Sequence, residues 1–114
     1  MGLAELFGFV SLPERKMFKR KQMAECFLKF GKLYHLLKKN TSGEVSAKDV
    51  STIHDLLSEV ENVCYMYLGD IEPNVRKAYR ELAFENNPEE ARRELLTALT
   101  RLEEHLGLMA GYYV

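Results

Sequence analysis

Only three prolines interrupt this chain, and each falls where a helix can begin. Proline lacks the backbone donor that a helix interior or a central strand needs, but it fits a helix's first turn, where that donor is unused. Pro13 follows Ser11, which forms a capping box with Glu14 three residues on. Pro73 opens a short apolar stripe. Pro88 follows the capping residue Asn87 and precedes Glu89 and Glu90, acids suited to the positive end of a helix dipole. Between these points the chain runs unbroken, and its apolar residues recur at helical period.

Four stripes result. The first helix is expected over about 12–39, with Met23, Ala24, Phe27, Phe30, Gly31, Tyr34 and Leu37 on one face. Gly31 there costs roughly 1 kcal/mol of helix propensity relative to alanine, a cost that suits a close helix crossing at that point. Lys38 and Lys39 place cations at the negative end of the dipole. Residues 41–45 read as a turn, and Ser46 with Asp49 starts a second helix. Its stripe is Val50, Ile53, Leu57, Val60, Cys64 and Tyr67, closed by Gly69 and Asp70. The third helix is short, about 73–86, with Val75, Ala78, Tyr79, Leu82 and Ala83 together. The fourth carries Ala91, Leu95, Ala98, Leu99, Leu102, Leu106 and Met109, and is expected to fray at its glycines over 107–111.

No stretch alternates with strand period. The expected fold class is therefore all-α: an antiparallel up-and-down bundle of about four helices with a short third helix. It forms one domain over 1–114. At 46 % hydrophobic residues a chain of this length buries a core without staples. The short third helix should leave apolar area on its longer neighbours, an opening for a second copy.

Residues 1–10 are apolar but too short to span a bilayer. The basic residues follow this run rather than precede it, and Leu6 stands where an N-terminal acylation signal has Ser or Thr. The expectation is a cytoplasmic protein with no transmembrane segment. Its N-terminal segment packs on the bundle or on a partner subunit through Leu3, Leu6, Phe7 and Phe9.

Charge divides the chain in two. Residues 1–40 hold nine Lys and Arg against three acids, net +6, whereas residues 41–114 hold seven against fourteen, net −7. The basic part is densest at Arg15, Lys16, Lys19, Arg20 and Lys21, with Phe18 among them and Lys29, Lys32 and Lys39 farther along the same helix. Those later lysines are expected on the side away from the core. Such a stripe suits phosphates, an acidic protein surface or a membrane surface. Equally, it suits an ordinary solvated helix face, or the acidic helices of this bundle or of a second copy.

Chemistry-bearing constellations are sparse. Cys26 and Cys64 have no metal-ligand spacing and read as two reduced, buried small hydrophobes, with a helix-to-helix disulfide as the alternative. His35, His54 and His105 lie on three helices, and none has a glutamate three residues before it, as di-metal carboxylate bundles require. If helices one and two are antiparallel, His35 and His54 come within a turn of each other. Arg101 and His105 are separated by three residues, one short of the Arg-x4–6-His signature of HEPN-type ribonucleases, and are expected on a charged outer face. Neither phosphate-loop glycine motif occurs. The expected function is a non-enzymatic interaction or scaffold module without cofactor or metal, self-associating through its N-terminal segment and exposed bundle surface. The alternative is a small nucleic-acid-associated protein using the basic helix over 15–39.

Overall fold

A computed structural model describes the backbone of residues 12–113 and the side chains of residues 20–107. Its helices are α1 (Leu12–Ser42), α2 (Ala47–Cys64), α3 (Glu72–Ala83) and α4 (Pro88–Tyr113), with no strand among the described residues. Connections of a few residues turn each helix back on the one before. α1 packs on α2 and α4, α3 packs on the same two, and neither diagonal pair approaches as closely. The fold is the expected all-α up-and-down bundle.

The helix starts follow the local chemistry. Ser46 is extended (φ −115°, ψ 127°), and its hydroxyl accepts from the Asp49 N–H at 3.3 Å. Asn87 Oδ1 accepts from the Glu90 N–H at 3.3 Å, just ahead of Pro88. The ends differ from expectation. α1 runs on to Ser42, where the Thr41 and Ser42 hydroxyls bond back to the Leu37 and Lys38 carbonyls. α2 stops at Cys64 because Tyr65 turns left-handed (φ 52°), so Tyr67 leaves the stripe and is exposed. Leu68 and Ile71 in the connection are buried instead, and the Leu68 N–H donates to Glu61 on the last turn of α2. α3 gives out at Ala83, and Asn86 takes up the left-handed turn (φ 50°) into α4. The backbone of α4 is helical through Gly107 and Gly111 to Tyr113.

The core face of α1 is rotated from the expected one. Its buried seam is Cys26, Phe30, Leu33, Leu37 and Asn40, at alternating steps of four and three. Phe27 is 55 % exposed and Met23 37 % exposed, while Tyr34 is half-buried. Each residue turns a helix by about 100°, so α1 offers two apolar stripes less than a turn apart. Packing against both α2 and α4 selects the one between them. Gly31 falls outside this seam, with nothing within 4 Å of where its Cβ would stand. No helix crosses closely there, contrary to the reason the sequence suggested for a glycine.

Both middle helices are short, at 18 and 12 residues, against 31 for α1 and 26 for α4. At 1.5 Å per residue, α1 is about 46 Å long and α2 about 27 Å. The radius of gyration, 16.9 Å, exceeds the roughly 13 Å of a compact domain of this size. α1 is the longest helix, and it runs past the last residue of α2 at one end.

Candidate functional site

The register between α1 and α2 defines where that end begins. Lys39 Nζ lies 3.2 Å from Asp49 Oδ2, Lys29 Nζ 2.6 Å from Glu59 Oε1, and Cys26 is joined to Cys64. Cys64 is the last residue of α2, so everything in α1 before Cys26 continues past the end of its neighbour. The two cysteines, expected to be reduced, form a disulfide across a Cα–Cα distance of 5.0 Å, within the span such a bond bridges. They are 38 residues apart in the chain, and only the docking of α1 on α2 aligns them.

Large apolar side chains gather at this end. Met23, Phe27 and Leu28 on α1, Tyr65 and Tyr67 after α2, and Leu106 on α4 are all exposed, Leu28 at 75 % and Tyr65 at 80 %. The α1–α4 register is set by the Tyr34 hydroxyl, which donates to Glu103 at 3.2 Å. Leu106, a turn farther along α4, therefore stands level with Phe30 and Gly31. Phe27 and Leu28 directly follow Cys26, and Tyr65 directly follows Cys64. The disulfide thus lies between Met23 and Phe27 along α1 and directly before Tyr65 at the end of α2.

The basic residues divide at the same level. Lys29, expected to face solvent, turns to α2, where its hydrogen bond to Glu59 raises the ammonium pKa and lowers that of the carboxyl. Lys39 likewise meets Asp49 of α2. Lys32 is exposed. Arg20 and Lys21 are exposed on the part of α1 that passes α2. Arg15, Lys16, Phe18 and Lys19 belong to the same stretch of helix, and their side chains lie outside the described residues. Leu3, Leu6, Phe7 and Phe9 lie outside them altogether.

The remaining polar groups tie the bundle together. Arg101 donates to the Asp70 carbonyl at 2.6 Å and to Asn74 Oδ1 at 2.8 Å, and His105 Nε2 sits 3.1 Å from the Asp70 carboxylate. Arg101 and His105 clamp α4 to the α2–α3 connection instead of forming an outer charged face. His54 turns to α3, 3.3 Å from Glu72. Arg76 also bonds Glu72, and together the two, Arg76 the more, lower its pKa. No group of three or more His, Cys, Asp or Glu among the described residues is placed to hold a metal ion, and no described helix is long and apolar enough to cross a membrane. No protein-family model matches this chain, and no curated protein or solved structure shows significant similarity to it.

The sequence pointed to this half of α1 by charge and missed its apolar component. Tyr67 was expected in the core stripe of the second helix and is exposed because α2 ends at Cys64, which also exposes Tyr65; Leu28 went unnoticed. Leu28 lies outside both apolar stripes, and its adjacency to Cys26 was the one available signal.

Proposed function

We propose that this chain is a non-enzymatic helical interaction module that self-associates through the end of the bundle around the Cys26–Cys64 bond, where α1 runs past the last residue of α2. The observation that carries the reading is the concentration of Met23, Phe27, Leu28, Tyr65, Tyr67 and Leu106 there, six of the nine large hydrophobic side chains exposed among the described residues. Single exposed apolar residues are ordinary, but a gathered set marks an association face. Aromatic anchors beside arginine are the composition of interface centres. A second copy fits this face because each copy carries both signs of charge, a +6 first part and a −7 remainder. Arg20 and Lys21 then steer the encounter. The segment over 1–10 joins the same face in this reading.

Light scattering over a range of protein concentrations tests it. The expected mass rises above 13.2 kDa toward a multiple of that value. Phe27→Glu with Leu106→Glu returns it to the monomer, since both side chains are exposed and their loss spares the core. A wild-type monomer at high concentration overturns the reading.

The nucleic-acid reading rests on one separate observation. Lys29 and Lys39 are engaged by α2, but the stretch containing Arg20 and Lys21 lies past the last residue of α2. Titration with single- and double-stranded nucleic acid at low and high salt tests it, with Lys19, Arg20 and Lys21 changed to Glu. Affinity falling steeply with salt and lost in the variant supports it. Absence of binding at low salt, or binding that survives the changes, removes it.

A further inference from the structure

Among the residues of α1 whose side chains are described, Cys26 is the outermost buried one. Residues 20–25 before it are exposed or, at Gln22, half-buried, and the next buried residue is Phe30, one turn on. Directly after Phe30 comes Gly31, open to solvent and with no packing partner within 4 Å of its Cβ position. A mid-helix glycine is a weak point in the helix, and a helical stretch cut off from tertiary contacts is marginal in water. The described part of α1 before Gly31 is thus joined to the bundle by a covalent bond at Cys26, the buried Phe30 and a half-buried ion pair at Lys29, with a helix weakened at Gly31 behind them.

We propose that the Cys26–Cys64 bond is a reversible thiol switch that holds the projecting half of α1 in register, with Gly31 as the point where that half comes away on reduction. Cys64 is the more exposed of the two and reacts first. Its thiolate attacks a small disulfide such as oxidised glutathione, releasing one glutathione thiolate and leaving a mixed disulfide. The Cys26 thiolate then displaces the second glutathione and closes the protein disulfide. Two protein thiols are oxidised, one small disulfide is reduced, and the two thiol protons end on the two glutathiones. Dithiothreitol reopens the bond by the same kind of exchange: one of its thiolates attacks the protein disulfide, its second closes the cyclic dithiothreitol disulfide, and both protein thiols are released. The oxidised form belongs to a disulfide-permissive environment, and the reduced form frees a basic, apolar-flanked helical arm.

The inference does not depend on self-association. Hydrogen exchange on the full chain tests it after incubation with oxidised glutathione or with dithiothreitol, with thiols counted by alkylation and intact mass. The oxidised chain is expected to show no alkylatable thiol. On reduction, amides over 20–30 should exchange roughly tenfold faster or more beyond whatever loss of protection those over 50–60 and 91–102 share. The Cys26→Ser, Cys64→Ser double variant should exchange fast over 20–30 under both conditions. Reduced Gly31→Ala should regain part of the protection. Two thiols remaining in oxidised glutathione overturn the proposal, and so does unchanged exchange over 20–30. Equal acceleration in all three regions also overturns it, because the bond then supports the whole bundle. If light scattering shows only monomer while this pattern is found, the association reading falls and the switch stands.

Discussion

Asn40 has no exposed surface, yet its side-chain amide is fully engaged. Nδ2 donates to the Leu36 carbonyl at 2.8 Å and to Asp49 at 3.1 Å, and Oδ1 accepts from the Ser46 N–H at 2.8 Å. One side chain closes α1, receives the connection and positions the first turn of α2. Asn40→Ala leaves the Ser46 N–H without its partner and is expected to cost about 1–3 kcal/mol, read as a lower denaturant midpoint. Gly31→Ala should act the other way, adding up to roughly 1 kcal/mol because its Cβ meets only solvent. From the sequence Asn40 was the end of a helix and Gly31 a crossing point. Both roles depend on the rotation of α1, which no residue near them reports.

The joined cysteines are the main feature at the scale of helices. The bond closes a loop of 38 residues spanning the α1–α2 hairpin, which the chain-entropy model values at about 4 kcal/mol. Cys26→Ser with Cys64→Ser should lower the thermal midpoint by an amount that reduction of the wild type reproduces. Ion pairs between helices give a pH dependence of definite sign. Asp49 is held below its ordinary pKa chiefly by the hydrogen bond from Asn40, Glu59 by that from Lys29, and Glu72 by Arg76 and then His54. A carboxyl with a lowered folded-state pKa contributes stability above its ordinary value of about 4, and loses it as pH falls through the folded-state value. Lys29, raised by Glu59, contributes below its ordinary value and loses its part only as pH rises through the raised one. Stability should therefore decline on the acid side below about pH 4. Asp49→Asn should flatten that limb in a series of denaturant melts. Exposed pairs such as Arg93–Glu90 should add less as salt rises.

At the scale of the molecule, folding places part of the charge split inside the bundle and leaves the rest at one end. Lys29 and Lys39 meet acids of α2, which answers the self-complementary reading for those two residues. The stretch with Arg20 and Lys21 runs on beyond α2, beside the exposed Phe27 and Leu28. If two copies associate there, added salt should slow association more than it speeds dissociation, as checked by stopped-flow mixing. Changing Lys19, Arg20 and Lys21 to Glu should remove that salt dependence, whereas Phe27→Glu should act on the lifetime of the complex.

Helix starts, the number of helices and their antiparallel order were legible because they arise locally. Ser46 and Asn87 cap from three residues away, proline excludes itself from interiors, and short connections leave no other way to return. The tertiary structure alone decided which of two overlapping stripes of α1 faces inward, that Leu68 and Ile71 replace Tyr67 in the core, and that Cys26 meets Cys64. The physical reason is one of range. Each of those outcomes depends on how helices distant in sequence dock, and a rotation of less than one turn moves Phe27 from the core to the surface that a partner would touch.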